Sequence, residues 1–167
     1  MAQLMTVPPW VVGYAVCLLF GWSSDRFNAR GWHVIVSFML GGAGWLTAGL
    51  LPPDAYVQRY GCLFLCACGA FPCCGPLGAW VTCNVPSIAT MGVAIALHNG
   101  ASGLFAIISQ WIWKPSEADR GYPTGNLVSA AFNFATAVVA LGLRLKYGRI
   151  KAAGTKDARG EPRVWML

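Results

Sequence analysis

An all-α fold that crosses a lipid bilayer with about five helices is predicted by three features of the sequence. Only 11% of the 167 residues are charged while 56% are hydrophobic, whereas a soluble domain carries about a quarter charged residues. The apolar residues gather into five runs, each near the roughly 20 residues needed to cross the hydrocarbon core. Those runs hold no Asp, Glu or Lys, and almost every charge falls in the gaps. A water-soluble helix would show a charged face every three or four residues instead.

The spans are placed at residues 4–22, 32–51, 60–83, 88–113 and 127–145, within a transmembrane domain of residues 1–146 that is followed by a basic tail at 147–167. The segment before the first run has no basic residue, so it lacks the n-region of a cleavable signal and the run is read as structure. The chain holds 20 glycines, which let helices approach closely in lipid. The third run carries Pro72 and Pro76 among Gly69, Gly75 and Gly78. Proline leaves a carbonyl without its helical partner, tolerated only where protein or a wet cavity answers it. Pro72 and Pro76 are therefore helix-break candidates, open to a packing kink as well as to a binding-site role. The fourth run places His98 and Asn99 near its middle and spaces Gly92, Ala96 and Gly100 four apart, a packing stripe. The fifth ends at Arg144.

Lysine and arginine set the expected orientation. Arg26 and Arg30 follow the first span, and Arg144, Lys146, Arg149, Lys151, Lys156, Arg159 and Arg163 close the last, all on one side. Arg59, Lys114 and Arg120 fall on the other. The N-terminus is then expected outside and the C-terminus in the cytosol. The tail is read as a solvated end that orients the last helix, or as a segment lying on anionic lipid. It shows no folded basic face, so nucleic acid is not an expected partner.

Catalytic patterns are missing: no glycine-rich phosphate loop, no Ser-His-Asp grouping and no carboxylate pair occurs in the runs, so the chain is not read as an enzyme. Seven cysteines include five between Tyr60 and Gly75. They form no Cys-x-x-Cys pair, and a lipid-embedded helix cannot wrap its own ligands around zinc. They are read as small apolar residues, with no metal or cofactor. His98 is the leading candidate for a solute or proton pathway, because an ionisable group at mid-membrane is costly and an imidazole can exchange a proton or, when charged, hold an anion. A neutral ring bonded to a neighbouring helix is the alternative. Asn99 and Tyr14 are further candidates.

The gap after the first span reads Gly21-Trp22-Ser23-Ser24-Asp25-Arg26-Phe27-Asn28-Ala29-Arg30-Gly31. Gly21, Asp25, Arg26 and Arg30 resemble the signature cytoplasmic loop of the major facilitator superfamily, with Ser23, Asn28 and Ala29 departing from the fuller motif. Gly21 would let two helices meet, and Asp25 would accept from an arginine or sit at a helix N-terminus. Further landmarks (Thr6-Val7-Pro8-Pro9-Trp10, Arg30-Gly31-Trp32-His33, Phe71-Pro72, Ala79-Trp80-Val81, Asn84-Val85-Pro86 and Tyr122-Pro123-Thr124-Gly125-Asn126) resemble the fungal anion:cation symporters of the allantoate permease family. The resemblance covers about residues 4–149 and likens the five spans to helices eight to twelve of a twelve-helix transporter. It implies proton-coupled transport of a small organic solute, an organic anion, across the plasma membrane. It also implies that the first seven helices, the remaining walls of the path, are partners outside this chain. The first, third and fourth spans would line the path, with the second and fifth facing lipid. A non-transporting membrane subunit or truncated gene product is the other reading.

Overall fold

The computed structural model describes residues 2–85 and 87–152. The basic tail from residue 153 onward lies outside them. A 3-10 turn at Ala2–Thr6 leads into α1 (Val7–Phe27), followed by α2 (Arg30–Leu50), α3 (Tyr56–Ala70), α4 (Cys74–Cys83), α5 (Ile88–Gln110), a 3-10 helix at Pro115–Arg120, and α6 (Pro123–Ala152). α3 and α4 are two halves of one broken span, so five apolar spans result: Leu4–Phe27, Arg30–Leu50, Tyr56–Cys83, Ile88–Gln110 and Pro123–Ile150.

Several bounds differ from the sequence expectation. α1 continues past Trp22 to Phe27, so Gly21, Asp25 and Arg26 are helical and the connection shrinks to Asn28 and Ala29. Asn28 ends the helix in the left-handed region (φ 49°), a conformation its short polar side chain tolerates. α6 runs on to Ala152 and takes Lys146 and Arg149 into the helix, because charges at a helix end beyond the hydrocarbon core do not oppose winding. The fourth span stops at Gln110, and Trp111–Trp113 form a turn and bend.

α2 is the hub, packing against α6 on one side and α3 on the other. Its glycines serve both contacts. Gly44 meets Cys66 of α3, Gly41 meets both Gly69 of α3 and Asn133 of α6, and Gly42 and Gly49 receive Phe134, Asn126 and Leu127 of α6. A Cβ on Gly44 would come within 2.9 Å of the Cys66 nitrogen, and one on Gly69 would overlap the Gly41 backbone. The helix crossing therefore requires backbone against backbone. Gly13 similarly admits Phe71 and Ala67 against α1. An apolar cluster of Val34, Ile35, Trp80 and Ala140, with Phe38, Leu77 and Tyr147 around it, joins α2, α4 and α6.

Breaking the third span at Phe71–Cys73 follows from Pro72, which lacks the N–H that would reach back to Cys68. Helix resumes with Leu77 N–H donating to Cys73 O (2.9 Å), and Pro76 sits in the first turn of α4, where a missing N–H costs little. α5 begins at a capping box between Ser87 and Thr90. Among the described residues it packs chiefly on α4 and has no buried residue. Leu97, Leu104 and Phe105 are all exposed on it. An apolar helix of this kind is stable in lipid, where its backbone is satisfied internally and its side chains need no burial. The protein is an integral membrane protein.

At the other membrane face Arg59 ties three segments together. Its guanidinium donates to the carbonyls of Leu51 (2.8 Å), Pro52 (3.1 Å) and Gly121 (2.9 Å). Gly121 has φ 71°, and Arg59 fills the place a side chain would take. Beside it Glu117 caps α6, accepting from the Thr124 hydroxyl at 2.7 Å and the Thr124 N–H at 3.0 Å. These bonds, the hydroxyl first, hold the Glu117 carboxyl below the usual carboxylate range, with Lys114 and Arg120 adding to the effect. A depressed folded-state value stabilises the fold above the unfolded value of about 4.3, and that stability is lost as pH falls through the lower folded value. Acid melting of the protein is therefore expected to show a loss below about pH 4 that Glu117→Gln removes; equal acid sensitivity in the variant contradicts the cap.

Candidate functional site

α4 and α5 diverge to leave a groove of about 560 Å³. α4 contributes Cys74, Leu77 and Thr82, and α5 contributes His98, Asn99 and Ser102. The α5 residues follow helical spacing, since positions three and four apart share a face. His98 and Asn99 thus come together as expected neighbours, near the midpoint of a 23-residue helix. Ser102 Oγ donates to the His98 carbonyl at 2.8 Å, and Thr82 Oγ1 donates to the Gly78 carbonyl at 3.1 Å. Each hydroxyl proton is used on its own helix, so each oxygen keeps acceptor capacity for the groove. Among the described residues, no protein group hydrogen-bonds the His98 ring or the Asn99 amide. Four polar side chains and a thiol therefore face one open space inside an otherwise apolar region. No carboxylate, lysine or arginine lines it.

Tyr14 does not join this group. It lies exposed on α1 and lines no part of the groove. The seven cysteines are all free. Among the described residues no cluster of His, Cys, Asp and Glu is suited to a metal ion.

The signature residues meet at one end of the bundle. Arg30 Nη2 pairs with Asp25 Oδ1 at 3.1 Å. Its Nη1 lies 2.7 Å from Cys83 Sγ and 3.5 Å from the Ala79 carbonyl. Arg30 thereby joins the end of α1, the start of α2 and the end of α4, directly below the groove-lining half-helix. Arg26 is exposed and stands apart from this clasp. Gly21, expected to admit a neighbouring helix, has nothing within 4 Å of an added Cβ, and Gly92 and Gly100 of the small-residue stripe are open in the same way. The close contacts fall instead at Gly13, Gly41, Gly44 and Gly69. A small residue permits approach, but only a facing helix makes use of it.

No family model and no solved structure matches the chain significantly. Curated proteins do. The chain is 49% identical over 148 residues to "MFS transporter prlL" of Fungal sp. (strain NRRL 50135), covering 88% of this chain and 30% of that protein. The chain is homologous to a segment of major facilitator superfamily transporters. "MFS-type transporter cnsO" of Penicillium expansum is 30% identical over 147 residues, 84% of this chain and 26% of its own length. "MFS-type transporter efuF" of Hormonema carpetanum is 30% identical over 141 residues, 84% of this chain and 28% of its own. The chain thus spans under a third of the length of the curated relatives it matches. The five apolar spans among the described residues are fewer than the six helices of one half of that transporter fold.

Thr82 and Cys74 were not singled out from sequence as groove residues. Thr82 is i+8 from Cys74, and both lie on the half-helix that begins only because Pro72 breaks the span. Without the break, their common face with His98 is not readable from spacing.

Proposed function

We propose that this chain is the part of a fungal permease of the allantoate permease type that resembles helices eight to twelve. That permease moves a small organic anion together with a proton by alternating access. The observation that carries the reading is the α4–α5 groove, where His98, Asn99, Thr82 and Ser102 line the same space, with His98 and Asn99 near the middle of α5. Desolvated polar side chains at that depth are costly, and a passing solute that hydrogen-bonds to them offsets the cost. No carboxylate lines the groove to compete with an anion, and an imidazole is a side chain able both to donate to an anion and to pass a proton. Helices outside this chain supply the remaining walls. The basic helix ends and tail support a cytoplasmic C-terminus, with the plasma membrane as the site of action. The Asp25–Arg30–Cys83 clasp holds α4 at its cytoplasmic end, and Pro72 gives that half-helix a hinge.

The path must be wet for this to hold. In the complete permease, Ser102→Cys is expected to react with a charged, membrane-impermeant thiol reagent at least about tenfold faster than Leu97→Cys, with the native cysteines replaced. Leu97 is exposed and stands about 140° around α5 from Ser102. Equal, slow labelling at both positions contradicts an aqueous groove.

A further inference from the structure

We infer that the basic end of the α1–α2 pair is a binding site for one anionic phospholipid, its phosphate held between Arg26 and Arg144. A second groove, of about 400 Å³, runs between α1 and α2. Leu19, Phe20 and Trp22 of α1 and Trp32 and Val36 of α2 form apolar walls. His33 closes it at the basic end, one ring nitrogen 3.0 Å from Ser23 Oγ and the other 2.9 Å from the Ala29 carbonyl. Both nitrogens are engaged, and Phe20 packs edge-on against the ring at 5.6 Å. The groove is a fixed feature with an apolar interior, suited to an acyl chain.

Its rim is cationic. Arg144 of α6 stacks on the Trp32 ring at 4.2 Å, which holds the guanidinium beside the groove. No carboxylate among the described residues pairs with Arg144, and its Nε is shielded without a partner. Arg26 lies on the same stripe of α1 as Leu19, Trp22 and Ser23, by the three- and four-residue spacing that lines one helix face. It is exposed, one turn beyond the groove. Asp25, the one acid at this end among the described residues, is already paired with Arg30. The charge is therefore uncompensated where a leaflet places its phosphates, and guanidinium groups match phosphate oxygens geometrically. Trp22 and Trp32 are both exposed, as aromatic side chains at the headgroup level commonly are. Apolar groove, aromatic collar and two unspoken-for arginines together fit an anionic phospholipid. A diffuse basic surface would need none of this geometry.

The test is native mass spectrometry of the full 167-residue chain released from detergent micelles containing equal phosphatidylinositol and phosphatidylcholine. One retained phosphatidylinositol is expected, with a preference on the order of tenfold or more for two arginine–phosphate contacts. Arg26→Gln with Arg144→Gln is expected to abolish the preference. Lys146→Gln with Arg149→Gln, which removes equal charge from the exposed side of α6, is expected to keep it. Should Arg144→Gln fold poorly, Arg26→Gln alone, at an exposed position, is expected to lower the preference severalfold. Equal retention of both lipids, or equal loss in the two double variants, overturns the site in favour of general charge attraction.

Discussion

Replacing Gly69 with leucine is expected to destabilise the protein by about 3 kcal/mol or more. Gly69 crosses Gly41 where α3 meets α2, and any side chain there overlaps the Gly41 backbone and approaches the Ser37 carbonyl at 2.8 Å. Neither neighbour is a flexible side-chain end that can step aside. Relief requires the two helices to separate, which also opens the Gly44–Cys66 contact a turn away. The loss propagates because α2 is the hub for α3 and α6. Gly75→Leu is the matched control. It makes the same chemical change in the other half of the broken span, where nothing lies within 4 Å of an added Cβ. Thermal denaturation in detergent is expected to show a large fall for Gly69→Leu and little change for Gly75→Leu. Similar behaviour of the two would contradict the backbone crossing.

His98→Ala in the complete permease is expected to lower solute flux by on the order of tenfold or more at unchanged surface expression. Hydrogen bonds to a charged group contribute about 1.5–3 kcal/mol, and each 1.4 kcal/mol is a factor of ten. His98 is the one imidazole lining the α4–α5 groove, so on the proposed reading its loss removes both a donor to the anion and the group that passes the proton. Flux is measured against a panel of organic anions with an imposed proton gradient. Leu97→Ala, about 100° around the helix from His98 and outside the groove lining, is expected to transport normally. A His98→Ala permease that retains full, pH-dependent flux would sink the role assigned to this residue.

Spans were legible in the sequence because lipid enforces a simple rule: charge is excluded from about 20 residues at a time. Five helices long and apolar enough to cross a membrane are present. Less legible were the ends. Asp25 and Arg26 read as loop because they are charged, yet a helix can carry charge in its last turn beyond the hydrocarbon, and α1 does so. Glycine spacing did not reveal its partners either. Gly92, Ala96 and Gly100 form the tidiest stripe in the sequence, while the tight contacts lie at Gly41, Gly44 and Gly69, because close approach is a property of two helices and spacing describes one. His98 and Asn99 stood out as polar residues at mid-membrane. Their grouping with Thr82 and Cys74 depends on how α4 turns after Phe71–Cys73, which no periodicity encodes. Arg59 was read only as a topological charge. Its role as a clasp rests on carbonyls left free at Leu51, Pro52 and Gly121, and backbone acceptors leave no trace in side-chain patterns.

Full-length sequencing of the native transcript tests most directly whether this chain is one segment of a longer transporter. The account predicts an open reading frame continuing upstream of Met1 through about seven further apolar spans, consistent with a chain that matches 30% of its relative's length. An in-frame stop immediately upstream, with Met1 as the start of the message and no partner gene encoding the missing spans, would contradict it.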